Sequence, residues 1–511
     1  MGRACAVVAA LVCCVVWTPS RAQACGGLFC SASQPVSQAG EVIVFAVEED
    51  GTVTAHVRIR YQGAAPAFSW ILPVPAVPEV SLGVDELFSQ LDAATAPRFV
   101  MTAEVRGTCG RAPSSCGDDR GRRETGVIVL PDGGSTGSEG SVVDVARREV
   151  VGPYDMVVLG SDDPDALRAW LADNGYDVPD AALPLLDYYV AKNDLFVALK
   201  LLPDASVGDI RPIALRFAER QPCIPIRLTS ISTVPDMPIT VYVLGRARAV
   251  SYNYMGVVPN LDDMGLFGGD PTDTYRRLVS QAVNDAGGRG FVTEYAGAVP
   301  RIALDVPSIE SLRTVTDVRL MVQGVTDRLG LSEQVSTILA RHLPPPDGVS
   351  ATQFYGCLAR PPCGDFDDYV MTLSFDPDAL IDELDAVLVA PGRETQAMVD
   401  RHGELTRLFT TISAHEMTED PLFTLREGMP EVSNVHTATL VTECSSEYAL
   451  SEAPQRVVFE SGAELVVREG TRLPRSRSCG CAVSPSAGGM GAPLGLLLIA
   501  VLLGLRRNGA R

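Results

Sequence analysis

The chain has 511 residues, of which 46% are hydrophobic, and a formal net charge of −21. This length allows two or three domains, and the apolar content argues against a disordered protein. A strongly acidic body is repelled by phosphate backbones, so the composition argues against nucleic acid as a partner. The sequence contains no P-loop and no dinucleotide-binding fingerprint. Its G-x-S-x-G match at 133–137 lies in a Gly/Ser-rich stretch that predicts a flexible loop rather than a strand–turn–helix, so the sequence indicates no cofactor and no definite enzyme activity.

The first 24 residues predict a secretory signal peptide. Arg3 precedes an apolar segment at 4–17, and Ala22-Gln23-Ala24 forms an A-x-A cleavage site. Signal peptidase is therefore an expected partner, and the mature chain is expected to begin at Cys25. Lipidation of Cys25 is an alternative, but the bulky glutamine before it favours plain cleavage.

The N-terminal part of the body, residues 25–270, is predicted to be rich in antiparallel strands. Residues 41–61 predict a hairpin around an Asp50-Gly51 turn. Alternate residues of its second strand form an apolar face: Val53, Ala55, Val57, Ile59 and Tyr61. The next apolar stretch begins as a strand, but its prolines predict an edge strand or a loop: Pro73, Pro75 and Pro78.

Further strands are predicted at 98–106, 148–159, 194–202, 210–218, 224–232 and 238–244. Two capped or amphipathic segments, 161–176 and 181–193, predict helices between them. The C-terminal part, 271–470, carries further helix candidates: 271–288, 331–342, 377–389 and 396–412. Strand-like runs follow at 434–444 and 455–469. Together these elements predict an α+β fold with a β-rich N-terminal half and a more helical C-terminal half.

The mature body has an even number of cysteines, which favours disulfides in an exported protein: Cys25, Cys30, Cys109, Cys116, Cys223, Cys357, Cys363 and Cys444. Three pairs are close in sequence: Cys25 with Cys30, Cys109 with Cys116, and Cys357 with Cys363. Cys223 would then pair with Cys444. This connectivity is a hypothesis, because sequence alone does not fix it. A metal site is the alternative, disfavoured because histidine is scarce.

The stretch HEMTED, which begins at His415, is the strongest candidate for metal chemistry. A zincin helix needs histidine at its first and fifth positions, and the fifth residue here is Glu419. We therefore favour a turn or helix start capped by Ser413 or Thr418, with His415 and Glu419 as weak alternative metal ligands. The other histidines share no metal-type spacing and are interpreted as scattered surface residues: His56, His342, His402 and His436.

Six stretches between residues 24 and 425 together resemble an uncharacterised bacterial family known as domain of unknown function 2330. They are ACGGLFC, QAGEVIVFAVEEDGTVTAHVRIRY, FSWILPVPAVPEV, GPYDMVVLGSDDPDALRAWLADNGY, IPIRLTSIS and LTRLFTTISAHEMTEDPLF. The family has no established activity, so the resemblance implies none here. The histidine of HEMTED is not expected to be required in that family segment, which weakens the metal interpretation.

Residues 471–511 form a distinct C-terminal tail. An apolar run at 493–505 is followed by Arg506 and Arg507. The run is shorter than the roughly 20 residues that cross a bilayer, although small residues before it allow a marginal span. As a membrane anchor, it would keep the arginines on the cytoplasmic side and the body outside.

The tail resembles the myxobacterial C-terminal sorting signal (MYXO-CTERM), which combines a cysteine motif, an apolar segment and terminal arginines. Cys479 and Cys481 stand at the cysteine motif, and we favour Cys479. The resemblance implies that an intramembrane sorting protease removes the tail and that a cysteine attaches the protein to the outer membrane or cell surface. The expected protein is thus exported, anchored at the cell surface, and binding or structural in role. The alternative is a secreted metal-dependent hydrolase that uses the His415 segment.

Overall fold

The computed structural model describes residues 37–62, 69–110, 144–176, 178–202, 210–218, 221–264, 270–360, 363–470 and 472. Within them the fold is α+β, as predicted. The chain divides into two compact units. The larger unit comprises Met1–Ala103, Asp118–Leu440 and Val457–Leu465, and the smaller one Glu104–Gly117, Val441–Arg456 and Val466–Arg511.

The strands are β1 (Ser37–Val47), β2 (Val53–Gln62), β3 (Ser69–Val74), β4 (Glu79–Leu82), β5 (Arg98–Gly107), β6 (Asp144–Val151), β7 (Tyr154–Gly160), β8 (Leu195–Leu201), β9 (Ile213–Phe217), β10 (Met237–Gly245), β11 (Arg248–Ser251), β12 (Met255–Gly256), β13 (Gly290–Ala298), β14 (Glu404–Ile412), β15 (Phe423–Arg426), β16 (Val435–Cys444), β17 (Gln455–Phe459) and β18 (Glu464–Arg468). The helices are α1 (Asp85–Thr95), α2 (Pro164–Asp173), α3 (Leu183–Ala191), α4 (Ile226–Thr229), α5 (Pro271–Asp285), α6 (Val318–Leu329), α7 (Glu333–His342), α8 (Ala351–Leu358), α9 (Asp367–Val370), α10 (Pro377–Leu384) and α11 (Ala390–Arg401). Among the described residues, no helix has both the length and the apolar character that a membrane crossing requires.

The largest sheet has eight strands in the order β12-β13-β14-β10-β1-β2-β9-β4. Its hairpin β1–β2 confirms the predicted one, and Gly51 takes the positive φ of 86° that favours glycine in the turn. Most neighbouring strands are antiparallel, but β1 pairs with β10 in parallel. The predicted apolar face of β2 is correct, since Val53, Ala55 and Val57 are buried.

A second sheet, in the order β3-β8-β7-β6, packs on one face of the large sheet. The two share an apolar core that includes Ile43 and Val57 from one sheet and Trp70 and Leu199 from the other. Strand β3, which contains Pro73, lies at the sheet edge, as its prolines predict. Helices α2 and α3 cover the outer face of this second sheet.

Helices α1 and α11 cover the opposite face of the large sheet, where they pack on Val42 and Val44. His56 belongs to this same face and is only 4% exposed. The interpretation of His56 as a surface residue is therefore wrong. A strand sequence that alternates apolar and polar residues predicts one solvated face, but here helices cover that face as well.

A buried ion cluster lies among the helices and strands on this face. The Arg407 guanidinium donates from Nε to Glu294 Oε2 at 2.6 Å and from Nη1 to Asp92 Oδ1 at 2.8 Å. Nη1 also lies 2.8 Å from the Tyr242 hydroxyl, to which it donates. Both Arg407 and Glu294 are buried, so each compensates the charge of the other.

In chain order, helices α6 to α10 lie between β13 and β14, and their apolar side chains form a separate core. These helices make the C-terminal half more helical, as predicted. Within this core Cys357 and Cys363 form a disulfide with Cα atoms 5.5 Å apart, the pair that their short spacing predicts.

Three sequence predictions of secondary structure are wrong. Residues 148–159 are not one strand, because a turn at Gly152 and Pro153 separates β6 from its antiparallel partner β7. Residues 224–232 contain the short helix α4 rather than a strand. Residues 396–412 do not form one helix, because α11 ends at Arg401 and β14 follows Gly403 as an inner strand of the large sheet. Nearly every residue of β14 is buried, so its sequence lacks the alternation that marks a strand with one solvated face.

The smaller unit contains the disulfide Cys109–Cys444, with Cα atoms 4.5 Å apart. The predicted pairs Cys109–Cys116 and Cys223–Cys444 are therefore wrong. The reason is that β5 and β16 are adjacent strands in the sheet β18-β17-β16-β5, which brings together cysteines 335 residues apart. Cys223 takes part in neither of the two disulfides that the described residues form. Some predicted residues lie outside the described ones: the signal peptide and the tail apart from Arg472, with Cys25, Cys30, Cys116, Cys479, Cys481, Arg506 and Arg507.

Candidate ligand-binding cleft

A cleft of about 310 Å³ opens between the two packed sheets of the larger unit. Strands β1, β2, β3 and β9, the end of α3, and the segments around residues 223 and 420 line it. Its walls are mainly apolar: Ile43, Phe45, Ala55, Val57, Leu72, Val74, Leu215 and Leu422. This volume equals about ten water molecules in the liquid and lies at the lower end of the range for small-molecule sites.

Glu41 is a carboxyl group placed among these apolar residues. It alternates along β1 with Ile43 and Phe45, so all three face the same side of the sheet. Only 5% of Glu41 is exposed, and this burial raises its pKa to about 7 despite a hydrogen bond from Gln38 Nε2 at 3.1 Å. Glu41 therefore gains or loses its proton near neutral pH.

Asp420 is the second buried carboxyl in the cleft, and it is also 5% exposed. Its Oδ1 accepts hydrogen bonds from the Tyr189 hydroxyl at 2.9 Å and from the Arg227 backbone N–H at 3.2 Å. Its Oδ2 is buried and has no hydrogen-bond partner among the described residues. Burial raises the pKa of Asp420, although the two donors to Oδ1 oppose that rise.

The backbone around Asp420 is fixed by side chains from the loop after β11. Asn253 donates from Nδ2 to the Asp420 carbonyl at 2.9 Å, and its Oδ1 accepts from the Leu422 N–H at 2.9 Å. The Tyr254 hydroxyl donates to the Glu419 carbonyl at 2.7 Å. Because neighbouring residues on both sides are held, the Asp420 carboxyl is positioned before any ligand arrives.

Lys192 is the lining ammonium group, and it is paired within the cleft. Its Nζ lies 3.1 Å from Asp194 Oδ2 and 5.5 Å from the centre of the Tyr189 ring. Burial acts to lower the pKa of Lys192, but the hydrogen bond and charge of Asp194 outweigh it, so the net pKa is raised. Lys192 thus stays charged and neutralises Asp194.

The structure gives the HEMTED stretch a different role from the one its sequence indicates. Residues 414–416 form one short 3₁₀ turn, not an α-helix. Ser413 caps this turn, as predicted, and the Glu416 carboxylate accepts from the Ser413 backbone N–H at 2.8 Å. His415 is exposed at the surface. The two weak candidates His415 and Glu419 therefore do not lie on one helical face.

Glu419 is held by two partners instead. Its Oε2 accepts from Arg289 Nη1 at 2.6 Å and its Oε1 from Asn253 Nδ2 at 3.0 Å. No group of three or more His, Cys, Asp or Glu side chains within the described part of the chain is arranged to hold a metal ion. The stretch reaches the cleft only through its last residue, Asp420.

Sequence reasoning missed the residues that give the cleft its chemistry. One signal was present for Glu41, because a charged residue in phase with Ile43 and Phe45 breaks the apolar pattern of an inward face. Asp420 and Tyr189 are 231 residues apart, and no local pattern connects them.

A second cavity, of about 370 Å³, lies on the opposite face of the large sheet, between β2, β4, β9 and α11. Buried His56 lines it, and the His56 Nδ1 atom has no hydrogen-bond partner among the described residues. Burial lowers the pKa of His56 to about 4, so its ring is neutral at neutral pH. The charged groups around this cavity are exposed or already paired, as Arg216 is with Glu79, so they do not indicate which class of ligand it would bind.

A family model of uncharacterised proteins conserved in bacteria (DUF2330) matches residues 19–351. The chain belongs to this family. The match to the DUF2330 model includes the cleft residues on β1, β2, β3, α3 and β9, whereas Asp420 and Leu422 lie beyond its end.

No curated protein matches the chain in sequence. Among solved structures, it is similar to the crystal structure of baculovirus P35, with 12% sequence identity and a TM-score of 0.22. That similarity covers 46% of this chain and 85% of the other. A TM-score this low supports no conclusion about fold or function.

Proposed function

We propose that this DUF2330 protein is an exported, surface-anchored protein of the cell envelope that binds a small ligand in the cleft between its two sheets. The observation that carries the proposal is the combination of an apolar cavity of small-molecule size with two buried carboxyls, Glu41 and Asp420. A few polar groups on apolar walls are the usual composition of a small-molecule site. The ligand's apolar part would contact the walls, and the carboxyls would orient it.

The binding proposal is tested by filling the cleft. Ala55 lines the cleft from β2, and Ala214 lines the second cavity from β9. Full-length protein is equilibrated with an extract of envelope small molecules, washed and denatured, and the released compounds are identified by mass spectrometry. We expect Ala55→Phe to abolish retention of a compound that the unmodified protein and Ala214→Phe both retain. Equal retention by both variants, or no retained compound at all, would contradict the proposal.

The export part of the proposal rests on the two ends of the sequence. The signal peptide at 1–24 would be removed by signal peptidase, and the tail that resembles the MYXO-CTERM signal would be cut by an intramembrane sorting protease. Cys479 or Cys481 would then attach the body to the outer membrane or cell surface. Peptide mass spectrometry of protein taken from the cell surface should find Cys25 at the N-terminus and no peptide from 493–511. An intact C-terminus on surface protein would refute the processing.

A further inference from the structure

The described residues that line the cleft include more carboxyl groups, which accept hydrogen bonds, than ammonium groups, which donate them. Its lining contains three carboxyls, Glu41, Asp194 and Asp420, but one ammonium group, Lys192. Lys192 already forms an ion pair with Asp194, because its Nζ lies 3.1 Å from Asp194 Oδ2. Glu41 accepts a hydrogen bond from the neutral amide of Gln38 at 3.1 Å. Among the described residues that line the cleft, Glu41 and Asp420 therefore have no cation of their own.

Asp420 supplies the independent sign that a donor is missing. Its Oδ1 is saturated by Tyr189 and Arg227, but Oδ2 is buried and has no partner within the described residues. Burial raises the pKa of Asp420 most, and the positive charges of Lys192 and Arg227 lower it less than its two hydrogen bonds do. Leaving a buried acceptor unsatisfied is costly, so an unpaired oxygen on a residue that lines a ligand-sized cavity indicates a donor that the ligand brings.

We infer that the ligand of this cleft is a cationic amine with an apolar body, whose ammonium group donates to Asp420 Oδ2 and is balanced by the charge of Glu41. This inference rests on the proposed binding function of the cleft. A hydrogen bond between an ammonium group and a carboxylate is stronger than one between neutral groups, and the apolar surroundings strengthen it further. An anionic ligand would meet two carboxyls and be repelled.

The inference also predicts how binding responds to pH. The titratable groups that share the cleft with Glu41 among the described residues are Tyr189, Lys192, Asp194, Cys223 and Asp420, and Gln38 donates a hydrogen bond to it. A cation bound nearby favours the ionised form of Glu41, so binding releases a proton from that carboxyl near neutral pH. Affinity for an amine should therefore rise as the pH rises from 5 to 8, over which range an alkylammonium group stays protonated.

The test uses three probes of similar shape on the full-length protein: 2-phenylethylammonium, 2-phenylethanol and phenylacetate. Isothermal titration calorimetry measures their dissociation constants, and titration in two buffers of different ionisation enthalpy measures proton release. We expect the ammonium probe to bind at least tenfold more tightly than the alcohol, and the carboxylate most weakly. Ammonium binding should release a fraction of a proton at pH 7, whereas alcohol binding should release none.

Substitutions at Asp420 and Glu41 test whether these two residues cause the preference for the ammonium probe and the proton release. Asp420→Asn should weaken ammonium binding more than tenfold and change alcohol binding less than threefold, and Glu41→Gln should remove the proton release. Asp50→Asn, in the exposed β1–β2 turn, is the matched control and should change neither. If Asp420→Asn does not fold, proton release by the unmodified protein decides the question.

The outcomes separate the two proposals. Equal affinity for the ammonium probe and the alcohol, or tighter binding of the carboxylate, would overturn the amine inference and leave a binding cleft in place. If none of the three probes binds and no envelope compound is retained, the binding function itself fails.

Discussion

The hydroxyl of Tyr189 donates a 2.9 Å hydrogen bond to Oδ1 of Asp420, and the two residues are 231 positions apart in the sequence. The bond joins the end of α3 to the segment that follows β14, and both residues line the cleft. It fixes one oxygen of the Asp420 carboxyl, whereas the other is buried without a hydrogen-bond partner among the described residues. The contact thus connects the stability of the fold to the chemistry of the proposed site.

Removing the hydroxyl of Tyr189 tests this connection. Tyr189→Phe deletes one of two donors to a buried carboxyl, so we expect the free energy of unfolding to fall by about 1.5–3 kcal/mol. Tyr188→Phe is the control, because it keeps the ring that lies 3.7 Å from the Arg227 guanidinium carbon. Denaturant unfolding at pH 7 measures both. Equal losses in the two variants would show that the hydrogen bond has no special role.

Glu41 should make the protein less stable as the pH rises. Its pKa is about 7 in the folded state against an ordinary 4.5, so the unfolded chain loses the proton first as the pH rises. Between these values the free energy of unfolding falls, and the loss is complete above about pH 7. Glu41→Gln should therefore raise the free energy of unfolding by about 3 kcal/mol at pH 8 and change little at pH 4. Glu49→Gln, an exposed neighbour on the turn, should show no such difference.

His56 should make the protein less stable as the pH falls. Its pKa is about 4 in the folded state against an ordinary 6.5, so the unfolded chain binds a proton first as the pH falls. The free energy of unfolding should drop by about 3 kcal/mol as the pH falls from 6.5 to 4, and His56→Gln should remove that drop. The exposed His415→Gln is the control. Because Glu41 and His56 oppose each other over overlapping pH ranges, the unmodified protein should respond to pH less than either variant.

The buried ion cluster should be sensitive to the loss of one partner. Arg407→Met leaves Glu294 buried without its cation, so we expect a loss of about 3–5 kcal/mol in the free energy of unfolding. The double variant Arg407→Met, Glu294→Gln removes the uncompensated charge. Its free energy of unfolding should therefore be at least about 1 kcal/mol higher than that of Arg407→Met alone. Additive losses in the double-mutant cycle would mean that the two side chains do not interact.

The disulfide pattern is open to a direct check. Proteolysis of the unreduced protein followed by mass spectrometry should yield peptides that join Cys109 to Cys444 and Cys357 to Cys363. Cys444→Ser should lower the free energy of unfolding by about 2–5 kcal/mol, because it opens a link across a long stretch of chain. A peptide that joins Cys109 to Cys116 would contradict the pairing.

Much of the local structure follows from the sequence. The Asp50-Gly51 turn, the edge position of β3 and the start of α2 at Pro164 with its Asp163 cap follow from residues close together in the chain. The prediction fails at β14, where burial on both faces removes the alternation, and at α4, where a helical turn of four residues is too short to show a period.

The sequence by itself determined the α+β class, the β1–β2 hairpin, helices α2, α3, α5, α7 and α10, the short disulfide and the family resemblance, because these depend on local patterns. It also indicates the two terminal signals, whose residues lie outside the described structure. Only the tertiary structure decided that Cys109 pairs with Cys444 and that Glu41, Tyr189 and Asp420 meet in one cleft. The physical reason is that burial and pairing depend on which strands and helices pack together, and this is set by contacts between residues far apart in the chain.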